Sequence, residues 1–297
     1  MSKKDGHSSL YVLSLTMGNI LFGFGPVLQK FTFPYGGSGL LTAFYSSAFG
    51  LIPLFILIKY NHLSLKSVRP IAGKLAVLCI GSSGALLFLW SSYNYIPTGL
   101  ATTLHYIYPM AIAVAMTVFY HEPFTGKKAV ALLLVLCGIA RIGASGGATL
   151  NPTGMVLALV SGFFWAFYII YMEKSGLCEQ PSPLISFCTT FANVPLALLV
   201  CAVTGKLVLY SAPCAWGIVV AVALLHRTVA CSLFQIGLRR VEPVSAGILC
   251  TFEPVSALVF GYFLLGEAVS ARQLSGLIFI LSGIIVNVLA GKKRSGS

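Results

Sequence analysis

Ten continuous apolar runs, each about as long as a membrane-spanning helix, divide this chain of 297 residues. A bilayer core of roughly 30 Å requires about 20 helical residues. The runs lack the short alternating segments of barrel strands, so helices are the structure that bonds every backbone group internally. The predicted spans are 10–30, 38–58, 72–94, 98–120, 128–145, 152–173, 183–204, 213–237, 243–265 and 271–290. We therefore expect an all-α integral membrane protein with ten transmembrane helices.

The composition excludes several other classes of protein. Hydrophobic residues make up 57% of the chain and charged residues only 9%, whereas soluble domains carry roughly a quarter charged residues. A soluble enzyme, a secreted disulfide scaffold and a DNA-binding domain are therefore excluded. The eight cysteines form no C-x-x-C pair, so we expect neither a metal site, a disulfide framework nor a cofactor. The first run is long enough to span and lacks a small-residue cleavage site, so we expect no cleaved signal peptide.

The basic residues indicate the orientation in the membrane. With ten spans both termini lie on one side, and that side holds fourteen of the 19 Lys and Arg residues while the other holds four. The remaining one, Arg227, lies inside a span. By the positive-inside rule, both the tail 1–9 and the basic tail 291–297 are cytoplasmic, in a multi-pass protein of the cell (inner) membrane. The net charge of +12 thus reflects topology, and we expect no nucleic-acid partner.

The chain also repeats itself. At an offset of 145 residues, matching residues are Ala101 and Ala246, Leu104 and Leu249, Pro109 and Pro254, Glu122 and Glu267, Lys127 and Arg272, and Gly138 and Gly283. The repeat predicts two five-helix halves, residues 10–145 and 152–290. Because each half has an odd number of spans, the halves are inverted relative to each other, an arrangement that suits alternating access.

Paired signatures close the two halves, and they carry a resemblance to a known family. The first reads Ala101 … Tyr108-Pro109 … Glu122 … Gly138, and the second reads Ala246 … Glu253-Pro254 … Glu267 … Gly283. From about residue 10 to 290 the chain resembles the drug/metabolite transporter superfamily, specifically its ten-helix EamA-type members. The resemblance implies a transporter rather than an enzyme, which moves amino acids or other small metabolites, usually outward. One departure is Met17-Gly18-Asn19, where the pattern often has a tryptophan before the glycine.

Two prolines lie near the middle of spans 4 and 9. Pro109 and Pro254 each free the carbonyl four residues earlier, those of His105 and Cys250. A freed carbonyl inside the membrane must bond to a neighbouring helix, water or substrate. Kinks repeated in both halves favour a central cavity, although packing alone also explains such kinks.

Two mid-span charges are the first candidates for chemistry. Glu253 is the acidic residue well inside a span, and it suits either proton coupling or a substrate amine. Arg227 suits a carboxylate or phosphate. Alternatively the two residues form a structural ion pair. His226, the neighbour of Arg227 in the sequence, points about 100° away from it on a regular helix. We therefore expect only one of these two basic residues to face a cavity.

Further side chains are candidates for lining the site or shaping the spans. Substrate-binding or coupling candidates, each of which packing would also explain, are Asn19, Trp90, His105, Tyr108, Trp165 and Tyr168. On span 6 a stripe of small residues predicts a close helix contact: Gly154, Ala158, Gly162 and Ala166. Glu122 and Glu267, at helix ends, are expected to be topological or gate contacts.

These observations favour a secondary transporter of small metabolites such as amino acids, present as a monomer or homodimer. Nucleosides, vitamins and cationic metabolites are alternative substrates. An intramembrane serine protease is disfavoured, because Gly143-Ala144-Ser145-Gly146 is too short a match to the serine hydrolase pattern. An ATP-driven pump is disfavoured because the chain has no phosphate-binding loop sequence.

Overall fold

The computed structural model describes residues 2–121, 123, 125–143, 151–238 and 249–291. The helices, numbered α1 to α12 in chain order, are Ser2–Lys30, Gly39–Tyr60, Ala72–Ser92, Thr98–His105, Tyr108–Tyr120, Gly126–Gly143, Pro152–Lys174, Ser182–Val203, Pro213–Val222, Cys231–Leu238, Phe252–Leu265 and Ala271–Gly291. A π-helix, Ala223–Ala230, joins α9 to α10. Each predicted span is thus represented by at least one helix.

The long apolar helices confirm an all-α membrane protein. Seven helical segments in the described ranges are long and apolar enough to cross a membrane, and the apolar helices Phe252–Leu265 and Ala271–Asn287 are shorter. The remaining span corresponds to α6, which has 18 residues and carries Lys127, Lys128 and Arg141. These elements fit the ten-helix arrangement.

Helix packing relates the two halves to each other. Span 1 packs on spans 8 and 9, and its counterpart, span 6, packs on spans 3 and 4. Span 2 packs on its own counterpart, span 7, and span 5 packs on span 10. Exchanging the halves converts each of these contacts into another contact of the structure, as expected of a repeat with approximate twofold symmetry.

Span 4 covers Thr98–Tyr120 as predicted, and the kink predicted at Pro109 takes the form of a short interruption of the helix. The helix stops at His105, and α5 begins at Tyr108 after a turn at Tyr106 and Ile107. Pro109 is the physical reason, because it has no amide to continue the helical bonding and its ring displaces the preceding turn. In span 9 a similar turn at Thr251 precedes the helix that holds Pro254.

Close helix contacts form where small residues remove side-chain bulk. A Cβ atom on Gly162 would lie 2.6 Å from the His105 carbonyl oxygen, and one on Gly154 would meet Tyr95 at 2.7 Å. Ala158 and Ala166 of the same stripe are buried. The predicted close contact of span 6 is confirmed, and it brings α7 against the interrupted span.

Several predictions fall on residues outside the described ranges. They concern Glu122, the loop with Ser145, the basic pair Arg239 and Arg240, the start of span 9 at 243–248, which includes Ala246 and ends before Leu249, and the basic tail after Gly291.

Candidate functional site

Glu253 and Tyr106 meet at the interrupted middle of spans 4 and 9. The Tyr106 hydroxyl lies 2.6 Å from the Cys250 carbonyl oxygen and 3.0 Å from Glu253 Oε2. Cys250 is the residue whose carbonyl Pro254 frees, so the partner that this carbonyl requires is a tyrosine from the other half. Tyr106 is itself buried, with 2% of its surface exposed.

Arg227 is a half-buried cation with two donors that no described residue uses. It lies in the π-helix, and its guanidinium carbon is 5.1 Å from the centre of the Trp90 ring. The aliphatic part of its side chain packs against Gly50 of α2. Its Nε and Nη2 groups are buried and make no hydrogen bond within the described part of the chain. A guanidinium in this state offers two donors to an incoming acceptor.

Arg227 and Glu253 form no ion pair with each other among the described residues. Their contacts differ, since Arg227 stacks on Trp90 while Glu253 bonds to Tyr106. The structure therefore does not support the alternative that these two residues lock each other structurally. The guanidinium of Arg227 and the carboxyl group of Glu253 are therefore two separate polar groups within the bundle.

His226 and Arg227 both contact Trp90, although a regular helix would place them on different faces. The His226 ring meets the Trp90 ring edge-on at 5.6 Å and the Phe22 ring at 5.1 Å. The π-helix has a wider turn than an α-helix, and such turns are frequent at functional sites. This turn gathers two basic side chains around a single indole.

Aromatic side chains line span 6 and the interrupted span 4. Trp165 and Tyr168 stack at 4.7 Å, and the His105 ring lies 5.7 Å from Tyr108 and 6.4 Å from Trp165. Nδ1 of His105 is 2.8 Å from the Ser161 hydroxyl, so this histidine has a polar partner. The structure thus brings four of the candidate residues together, and it favours the packing interpretation for His105.

Asn19 faces the same interior from α1. Its amide nitrogen donates to the Leu15 carbonyl at 2.8 Å, while its Oδ1 is buried without a partner in the described ranges. One turn later, a Cβ atom on Gly23 would collide with the Glu253 carbonyl oxygen, so α1 passes directly beside the glutamate. Ser47 of α2, one turn from the glycine that contacts Arg227, is also buried without a described partner.

A second polar cluster, which we call the latch, closes the bundle where spans 1, 4 and 9 meet. Lys30 Nζ lies 2.7 Å from Glu267 Oε1 and 3.2 Å from the Ile96 carbonyl. The Thr98 amide lies 3.1 and 2.9 Å from the two Glu267 oxygens, and its hydroxyl is 2.8 Å from Oε2. Glu267 thereby caps the first turn of α4, where free amides favour a negative charge. The left-handed Gly266 turns the chain toward the latch.

Sequence reasoning missed Tyr106, Ser47 and the partners of the latch. Tyr106 could have been found by asking which donor satisfies the freed Cys250 carbonyl. Ser47 carries no signal in the sequence, because serine is common in apolar spans. No group of three His, Cys, Asp or Glu side chains that could hold a metal is found in the ranges described.

Comparison with known proteins identifies the family. The profile of the EamA-like transporter family matches residues 9–144 and again residues 152–289. The chain belongs to this family. As an EamA-like transporter it is a multi-pass membrane protein of the drug/metabolite type, and the double match agrees with the repeat described above.

Curated relatives of this EamA-like chain match nearly its whole length. The threonine/homoserine exporter RhtA of Escherichia coli K12 is 27% identical over 91% of this chain and 88% of its own. RhtA of Salmonella typhimurium LT2 is 26% identical over 96% and 92%. UDP-galactose/UDP-glucose transporter 7 of Arabidopsis thaliana is 25% identical over 71% and 68%. A solved crystal structure shares the fold, with a TM-score of 0.68 at 18% identity, covering 97% of this chain and 98% of its own.

Proposed function

We propose that this protein is a secondary transporter that exports small carboxylate-bearing metabolites, amino acids above all, by alternating access. The substrate binds near mid-membrane between spans 1, 3 and 4 of one half and spans 6, 8 and 9 of the other. Both termini lie in the cytoplasm, as the distribution of basic residues favours.

The observation that carries this proposal is the state of Arg227. A guanidinium with buried, unmet donors is costly, because the Nε and Nη2 groups lose their bonds to water without gaining a described partner. A substrate carboxylate supplies two acceptors in the planar geometry that a guanidinium matches. Trp90 fixes the guanidinium from one face, which leaves its edge available to the ligand.

Polar and aromatic side chains elsewhere in the bundle also suit a small polar ligand. Asn19 and Ser47 have buried polar atoms without described partners, and Trp165 and Tyr168 stack to form a flat aromatic surface. A few polar groups within apolar walls are typical of small-molecule sites. The similarity to RhtA, a threonine/homoserine exporter, supports amino acids as the first substrates to test.

Counterflow in proteoliposomes tests the proposal. Vesicles loaded with unlabelled threonine or homoserine are diluted into labelled substrate, and transient accumulation inside reports carrier-mediated exchange. We expect saturable exchange in the wild-type protein, near-complete loss in Arg227→Ala and partial retention in Arg227→Lys, which keeps the charge but loses the planar fork. Lys66→Ala, in an exposed loop, serves as the control for charge removal.

The test has two contradicting outcomes. Unchanged exchange kinetics in Arg227→Ala would remove this residue from the binding site. Folded wild-type protein that exchanges no amino acid would overturn the substrate class. A panel of nucleosides, vitamins, cationic metabolites and UDP-sugars would then identify the replacement.

A further inference from the structure

The hydrogen bonds at Tyr106 bear on the protonation state of Glu253. A tyrosine hydroxyl has one proton to donate, and two oxygen atoms lie within reach of it. The Cys250 carbonyl oxygen accepts hydrogen bonds and cannot donate them, and it lies at 2.6 Å, the shorter of the two distances. The two acceptors therefore compete for one proton, and the Cys250 carbonyl is the nearer of them.

Glu253 Oε2 lies 3.0 Å from the same hydroxyl. If Glu253 is ionised, it can only accept, and one proton must then serve both the carboxylate and the Cys250 carbonyl. A protonated carboxyl group instead donates to the tyrosine oxygen and completes a chain from Glu253 to Tyr106 to the Cys250 carbonyl. The contact is satisfied when Glu253 is a neutral acid.

The surroundings of Glu253 agree with a neutral group. The titratable side chains near it are Tyr93 at the end of span 3, Tyr106 and Tyr108 of span 4, Cys231 of α10 and Cys250 of its own span. None of these carries a positive charge. From α1, the Gly23 backbone lies against the glutamate. In the described ranges no lysine or arginine pairs with Glu253.

We propose that Glu253 holds one proton in the empty carrier and exchanges it for the ammonium group of the substrate. This inference rests on the proposed function, since it assumes a zwitterion whose carboxylate binds Arg227. On binding, the O–H bond of Glu253 breaks, the proton leaves to water, and the resulting carboxylate pairs with the ammonium group. On the opposite side the substrate leaves, and a proton from water restores the acid.

The charges balance over the cycle. The empty site carries the positive Arg227 and a neutral acid, whereas the loaded site carries Arg227, a zwitterion and a carboxylate, and is neutral overall. One proton therefore enters for each amino acid exported, and one positive charge crosses the membrane. A pH gradient and a membrane potential each drive export by this stoichiometry.

Proton release on substrate binding is the direct test. Purified protein in weakly buffered detergent solution is mixed with threonine, and we expect about one proton released per bound molecule at pH values at which Glu253 is protonated in the empty carrier. A matched ligand, 3-hydroxybutyrate, keeps the carboxylate and hydroxyl of threonine but lacks the ammonium group. It should bind without releasing a proton. Glu179→Gln, an exposed carboxylate on a loop, should release protons as the wild type does.

Infrared difference spectra provide a second readout that needs no transport. Threonine binding should remove a carboxylic-acid carbonyl band from the wild-type spectrum. The band should be missing in Glu253→Gln and displaced in Tyr106→Phe, which deletes its hydrogen-bond acceptor. Because the wild type and Tyr106→Phe together test the chain of bonds, the test stands even where Glu253→Gln fails to fold.

The outcomes separate this inference from the proposed function. Counterflow without proton release, or a threonine-sensitive acid band that persists in Glu253→Gln, overturns proton exchange at Glu253 and leaves amino-acid transport intact. The absence of counterflow in the wild type overturns the proposed function itself. Equal proton release with 3-hydroxybutyrate would show that the ammonium group does not displace the proton.

Discussion

The latch gives a prediction whose size follows from its geometry. Glu267→Gln keeps the shape of the side chain but removes the charge that Lys30 and the Thr98 amide share. The Lys30 and Glu267 side chains are only 17% and 11% exposed, so water screens the pair weakly. A hydrogen bond to a charged group contributes about 1.5–3 kcal/mol. Losing that amount from the closed form multiplies the open fraction by about 10 to 100.

Cysteine labelling measures that open fraction. Leu100 lies in the groove that Glu267 also lines, and it is only 6% exposed. Leu100→Cys provides a site that a membrane-impermeant maleimide can label. Mass spectrometry of the peptide that holds this cysteine measures its labelling separately from that of the native cysteines. When opening is fast relative to labelling, the labelling rate follows the population of the open form. We expect Glu267→Gln to accelerate labelling by about 10- to 100-fold.

An exposed ion pair provides the matched control. Glu173 lies 3.4 Å from Lys174, and these side chains are 64% and 36% exposed. Such pairs contribute about 0–1 kcal/mol, so Glu173→Gln should change labelling by less than about fivefold. In a double-mutant cycle, Lys30→Ala should add little once Glu267→Gln is present. A labelling rate in Glu267→Gln that stays within about twofold of the parent would refute the latch.

Two further predictions concern packing and the cation site. Gly138→Val should destabilise the protein by about 1–3 kcal/mol, lowering its thermal midpoint, because a Cβ atom there would lie 2.7 Å from the Gly276 carbonyl oxygen. Gly73→Ala, where nothing lies within 4 Å, is the control, and an equal loss there would contradict the reasoning. Trp90→Leu removes the ring face under Arg227, contributing about 0.5–2 kcal/mol, so half-saturation of exchange should rise by about 2- to 30-fold. An unchanged value would show that the indole does not orient the guanidinium.

The positions of the spans along the chain were predictable, because a helix that crosses the membrane must be apolar and long enough, and both properties are visible in the sequence. The sequence predicted where span 4 is interrupted but not the form of the interruption. Pro109 indicated a kink, but the two-residue turn that exposes Tyr106 to Glu253 depends on how α4 and α11 pack. The π-helix at 223–230 had no local signal, since its residues also suit a regular helix.

The candidate site was predictable in its residue types rather than in its pairings. Arg227 and Glu253 were conspicuous as charges in apolar runs, yet the sequence left open whether they bond to each other. The partner of Glu267 is Lys30, separated by 237 positions along the chain. Proximity of this kind comes from tertiary packing, which spacing along the chain does not encode.

The π-helix has a consequence for how a substrate travels. In the first half the counterpart of span 8 is α3, an uninterrupted α-helix of 21 residues, so the wide turn that carries Arg227 occurs on one side of the pseudo-twofold axis. A carboxylate held there has no equivalent anchor to move to when the carrier switches. On the proposed function, the substrate would keep one orientation while the openings change around it. Because a site that holds the substrate in one orientation is chiral, we expect L- and D-threonine to differ in exchange rate.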